Sequence, residues 1–151
     1  MSWDMWHVTG TGFDTSFVVP DKYRDFILNH RQSLEAVMDT DTVQNLIHYL
    51  TERPNELEEY IIDLDDIRDM MSTWTISEPI ACIMYEETGI RFDYPGVTEY
   101  GEDCVLFTSR DPWNYSQIER DLTYERLREI MGKYAGELGI KVDNYDLVYS
   151  G

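Results

Sequence analysis

Residues 1–151 are expected to fold as a single α+β domain: a small, mainly antiparallel sheet of three to four strands packed with about four helices. Three observations predict this. Apolar residues recur at three- and four-residue steps in several segments before residue 90, the pattern then changes to short β-type runs, and no repeat, linker or low-complexity tract divides the chain. At 42% apolar composition, a chain of about 150 residues buries roughly two-thirds of its unfolded surface, which is enough for a real core. The 11 Tyr, 5 Phe and 4 Trp supply the large rings that such a core or an interface uses.

The elements follow in chain order. SWDMWHV, residues 2–8, alternates loosely and suits a strand with His7 on one face. TGTGFDTS reads as a plain turn: Gly10 and Gly12 form GxG, but the third glycine of a phosphate-binding turn is missing and no helix opens directly behind it. Pro20 and Asp21 open a helix carrying Tyr23, Phe26 and Ile27 on one side, and a short helical piece continues from about Ser33 to Met38. Residues 39–42 break the chain and cap a helix whose stripe is Val43, Leu46, Ile47 and Leu50, with His48 beside it. Ser77 is expected to cap the helix SEPIACIMYEETG, whose apolar interior marks it as central and whose Gly89 stops it. Residues 90–94 and 103–108 read as an antiparallel hairpin turning at Gly101. Trp113 and Tyr115 lie in a turn-rich loop, where each either plugs the sheet or projects as a binding anchor. Leu122 to Leu138 is an amphipathic helix that starts at Thr123 and stops at Gly139, and YDLVY at 145–149 closes the sheet.

Charge is the strongest bulk signal. Thirty Asp and Glu against 12 Lys and Arg give a formal net charge of −18. Such a field opposes direct binding to nucleic acid or to anionic lipid and speeds encounter with a basic protein. No apolar run of about 18 residues occurs and the start lacks a signal-peptide pattern, so no membrane span and a cytoplasmic location are expected.

The acid is densest in PNELEEYIIDLDDIRDMM, residues 54–71. Leu57, Tyr60, Ile61, Leu64, Ile67 and Met71 would line one stripe of a helix there, with Glu58, Glu59, Asp65, Asp66 and Asp69 opposite. From Glu56 to Asp69 a helix rising about 1.5 Å per residue spans roughly 21 Å and carries seven carboxylates, about one per 3 Å, close to the roughly 3.4 Å phosphate spacing of a nucleic-acid strand. Ile62 falls within the acidic face rather than the core stripe, as a partner-facing anchor ringed by charge would. The expected partner-binding set is therefore Glu58, Glu59, Ile62, Asp63, Asp65, Asp66 and Asp69, with Trp113 and Tyr115 as a secondary contact.

Catalytic and metal patterns do not compete with this reading. Asp63, Asp65 and Asp66 resemble a calcium run, but the twelfth position counted from Asp63 is Trp74, where an EF-hand loop needs Glu. The three His residues form no HxH or HExxH, there is no GxSxG, and Cys82 and Cys104 sit apart among apolar neighbours as inert thiols. Neither a metal nor a cofactor is expected.

The layout resembles a group of small acidic proteins encoded by Gram-positive bacteria and their phages. The resemblance rests on an aromatic start ahead of Gly10 to Phe13, on Glu86 to Ile90, Val105 to Phe107, Pro112 with Trp113, and Lys133 to Ile140. It implies a phage or mobile-element context and transfers no functional residue. Together these features lead to an expected non-enzymatic inhibitor that mimics phosphate and occupies the basic nucleic-acid-binding surface of a nuclease, as an anti-CRISPR or other anti-defence protein does. An immunity protein that neutralises a toxin domain, and a small carboxylate-dependent hydrolase, are the alternatives.

Overall fold

The computed structural model describes residues 5–52 and 76–150. Its architecture is α+β, with an antiparallel three-stranded sheet in the order β2-β1-β3 and six helices among the described residues. The strands are β1 (Met5–Asp14), β2 (Cys104–Thr108) and β3 (Asp143–Ser150). The helices are α1 (Pro20–Asn29), α2 (Arg31–Val37), α3 (Thr40–Glu52), α4 (Ser77–Thr88), α5 (Gln117–Arg120) and α6 (Tyr124–Leu138). The helix expected within residues 54–71 lies outside the described residues.

Local chemistry explains most boundaries. Pro20 sits in the first turn of α1, where its missing N–H costs no hydrogen bond. Asp39 accepts from the Thr42 N–H at 3.3 Å and starts α3, and Thr123 accepts from the Arg126 N–H at 3.1 Å and starts α6. Gly89 and Gly139 end α4 and α6 in the left-handed region, at φ 74° and 72°.

α4 packs on β2 and α6 on β1. This side of the sheet contributes Phe13, Val105 and Phe107 to a core that includes Tyr23, Phe26, Ile27, Ile80, Ile83, Met84, Met131 and Leu138. The other side holds a smaller cluster, Cys104, Leu106 and Leu147, covered by Val8, Tyr145 and Tyr149, while Trp6 stacks on Tyr149 at 5.7 Å. Burial raises both thiols, that of Cys82 to about 11.

Three expectations change. Gly10 and Gly12 are not a turn but the middle of β1, because β2 passes so close that a Cβ on Gly12 would lie 1.8 Å from the Val105 carbonyl oxygen. Ser77 does not cap α4. It is the first buried residue of that helix, and its hydroxyl donates to Asp103 Oδ1 at 2.8 Å and meets Thr15 Oγ1 at 2.9 Å, tying α4 to the ends of β1 and β2. The hairpin arm before β2 makes only two isolated bridges, Asp93 with Leu106 and Val97 with Asp103. Pro95 lacks an N–H for a ladder and Gly96 turns to φ 107°, so no regular strand forms there.

Candidate binding surface

Of the residues expected to bind a partner, Glu58, Glu59, Ile62, Asp63, Asp65, Asp66 and Asp69 lie outside the described residues. The structure places Trp113 and Tyr115, and gives them opposite roles. β2 ends at Thr108, and the chain then enters a 3₁₀ turn at Pro112–Asn114, closed by the Asn114 N–H on the Asp111 carbonyl at 2.8 Å. Tyr115 folds inward. Its ring stacks on Phe107 at 5.9 Å, its hydroxyl donates to the Thr108 carbonyl at 3.2 Å, and it accepts the Arg110 N–H at 2.7 Å. Tyr115 is thus the plug. Trp113 is the projecting residue, with 74% of its surface exposed.

The turn is held from beneath by a carboxylate that the sequence reading did not single out. Ser116 and Glu119 form a reciprocal capping box at the start of α5, the Ser116 N–H reaching Glu119 Oε1 at 2.8 Å. The fully buried Glu119 carboxylate also takes Arg91 Nη2 at 3.1 Å, the Arg91 backbone N–H at 2.9 Å and Arg110 Nη1 at 3.1 Å. Burial disfavours its charge, but the bonds from Ser116 and Arg91 outweigh that cost and push its pKa down to about 2. The two guanidiniums reach outward again. Arg91 donates to the Asn114 carbonyl, Arg110 donates to the Arg91 carbonyl at 2.8 Å, and Arg110 lies over both the Phe107 and Tyr115 rings. The Trp113 backbone is therefore braced through its neighbours before any partner arrives, which lowers the ordering cost of using it as an anchor.

A second polar cluster joins three helices at His30, between α1 and α2. Its Nδ1 meets Glu87 of α4 at 2.7 Å and its Nε2 meets Glu137 of α6 at 2.9 Å, while Glu87 also accepts from Ser33 at 2.7 Å and from Tyr134 at 2.8 Å. Burial works against the imidazolium, yet the two carboxylates prevail and raise the His30 pKa. Burial likewise opposes the Glu87 charge, and the bonds from Ser33, His30 and Tyr134 prevail and lower the Glu87 pKa. The signs define a window. The His30 contribution is complete below its ordinary value of about 6.5 and fades as pH rises through the raised folded value. The Glu87 contribution is complete above about 4.3 and fades as pH falls through the lowered one. Replacing His30→Gln should therefore cost on the order of 2 kcal/mol near pH 5.5 and less near pH 9, measured by urea unfolding at both pH values.

Other candidate chemistry is less organised. Among the described residues no group of three His, Cys, Asp or Glu is placed to hold a metal ion. Burial raises the Glu78 carboxyl, the feature a carboxylate-dependent hydrolase would need. No helix among the described residues is long and apolar enough to cross a membrane.

Charge is unevenly distributed along the chain. Residues 1–107 hold twenty-two of the thirty carboxylates and half of the Lys and Arg, whereas residues 108–151 are nearly balanced, with eight acids against six bases. Asp21, Asp25, Glu35, Asp41, Glu86 and Glu99 all stand exposed. The excess of acid thus lies in the part of the chain that ends within β2, ahead of the Trp113 turn. No known protein family, curated protein or solved structure matches the chain.

Proposed function

We propose that this protein is a non-enzymatic acidic inhibitor that occupies the basic nucleic-acid-binding surface of a nuclease in the cytoplasm. Its phage-like layout favours an anti-CRISPR or related anti-defence target. The observation that carries the reading is the net charge of −18, concentrated in residues 1–107 and densest at residues 54–71.

The physics proceeds from long range to short. The negative field steers a basic groove toward the protein, and the effect weakens as salt shortens the screening length to about 8 Å at physiological ionic strength. Glu58, Glu59, Asp63, Asp65, Asp66 and Asp69, which a helix over residues 56–69 would space like backbone phosphates, then pair with the Lys and Arg that would otherwise hold nucleic acid. A carboxylate on a side chain offers no phosphodiester bond to cleave, so a nuclease that accepts these groups is occupied without turnover. Ile62 and the braced Trp113 supply the apolar contacts that charge alone lacks.

Reversing Glu59→Lys, Asp63→Lys and Asp66→Lys together should leave the circular-dichroism spectrum unchanged and abolish capture of the nuclease. Undiminished capture by the triple variant would overturn the assignment. Replacing Trp113→Ala should change stability by no more than about 0.5 kcal/mol, because the ring is exposed, while weakening partner binding about tenfold or more in calorimetric titration.

A further inference from the structure

β1 outruns β2. Their register runs from Asp14 opposite Cys104 to Gly10 opposite Thr108 and ends there, whereas β1 continues back to Met5 with β3 beside it. Leu106 spends both its N–H and its carbonyl on Asp93, at 2.8 and 2.7 Å, so in β2 it is Val105 and Phe107 whose main-chain groups face β1. Their partners Phe13 and Thr11 therefore face β2, and by the two-residue alternation of a strand Thr9 and His7 direct their main-chain groups to the same side, where β2 has ended. A cavity of about 750 Å³ opens beside this edge. Residues 7–9 form one wall and residues 91–95 the other, and Thr108 and Ser109 line it where β2 stops.

We infer that a basic, extended segment of a partner protein adds here as a strand, antiparallel to β1 and in the line that β2 vacates. An interrupted edge is a template for main-chain pairing, and side chains that alternate along the incoming strand then point to the two faces of the sheet. The basic character follows from charge. The chain carries −18 and Asp146 pairs with His7 at 2.8 Å on the strand next door, while Asp93 in the wall is already met by Arg110 at 3.6 Å and by the Thr108 hydroxyl. Arg91, the one cation of the wall, is committed to Glu119 and Asn114. A second copy of this chain would bring the same negative charge to the edge and be repelled. The residues lining this cavity do not include any of 54–71, and the inference does not depend on what that segment binds.

The test uses the full chain, ¹⁵N-labelled, and an acetylated, amidated heptapeptide of alternating Lys and Val. The peptide should bind saturably and slow amide exchange at His7 and Thr9. N-methylation along the peptide, which removes its donors and keeps its charge, should weaken binding about tenfold or more, and a Glu/Val peptide should not bind. Thr9→Pro deletes a donor aimed into the cavity, at an edge position where proline is tolerated, and should abolish the protection at His7. The reversals at Glu59, Asp63 and Asp66 should leave protection at His7 and Thr9 in place even if they abolish nuclease capture, which separates this site from the acidic one. Absence of protection, equal binding of the N-methylated peptide, or a concentration-dependent dimer that protects the same amides without peptide would each overturn the inference.

Discussion

Replacing Gly12→Ala is expected to cost about 3 kcal/mol or more, a large share of the roughly 5–15 kcal/mol that holds a domain folded. A Cβ at this position would lie 1.8 Å from the Val105 carbonyl oxygen, 2.9 Å from its carbon and 3.0 Å from Leu106 Cα. All three are backbone atoms of β2, so no flexible side chain can swing aside. Relief requires β2 to move away from β1, which pulls Val105 out of the main core and Leu106 out of the smaller cluster on the opposite side of the sheet. Gly10→Ala meets the Phe107 carbonyl oxygen at 2.6 Å and should cost less. Denaturant unfolding of the two variants beside the parent measures both effects, and an unchanged midpoint for Gly12→Ala would contradict the packing described for this sheet.

The second large effect is expected at Glu119→Gln. The amide fills the same space but leaves Arg91 and Arg110 facing a neutral group, and breaking a buried charge pair costs about 3–5 kcal/mol. At about 2–4 °C per kcal/mol for a chain of this size, Tm should fall by roughly 6–20 °C. The pH dependence gives an independent check. A carboxyl ordinarily near 4.3 and held at about 2 in the folded state stabilises fully above its ordinary value and loses that contribution as pH falls toward 2. The parent should therefore lose stability between about pH 4 and pH 2 more steeply than Glu119→Gln, and the two should converge at the acid end. Amide exchange at Asn114 and Tyr115 should quicken in the variant, because the brace beneath the Trp113 turn is gone.

Features decided within a few residues were legible in the sequence. The 3.6-residue stripes of α1, α3 and α6, the cap at Thr123, the stops at Gly89 and Gly139, and the closing strand all follow from neighbours along the chain, while α3 starts at Thr40, two residues ahead of the expected Thr42. Features decided by distant partners were not. Glycine has a low strand propensity, so Gly10 and Gly12 read locally as a turn, and the need for them arises only where β2, some ninety residues on, presses against β1. His30 carried no ligand or catalytic spacing because its partners Glu87 and Glu137 are 57 and 107 residues away. Ser116 and Glu119 did offer a local signal, the Ser-x-x-Glu capping pattern, though not the two arginines that the same carboxylate holds. The loop aromatics show the limit of composition: Trp113 and Tyr115 share one turn-rich stretch, and only the stacking partner Phe107 and the hydroxyl bonds decide which turns in.

The central claim is that carboxylates of this chain take the place of phosphates on a basic protein surface. The most direct measurement is competition on the captured nuclease, with a labelled nucleic-acid duplex titrated against the parent chain and against the Glu59→Lys, Asp63→Lys and Asp66→Lys variant at low and high salt. The account predicts mutually exclusive binding of duplex and parent chain, an apparent affinity that falls as salt rises, and no displacement of duplex by the variant. Simultaneous binding of duplex and parent chain to the nuclease, or displacement that neither salt nor the reversals weaken, would contradict it.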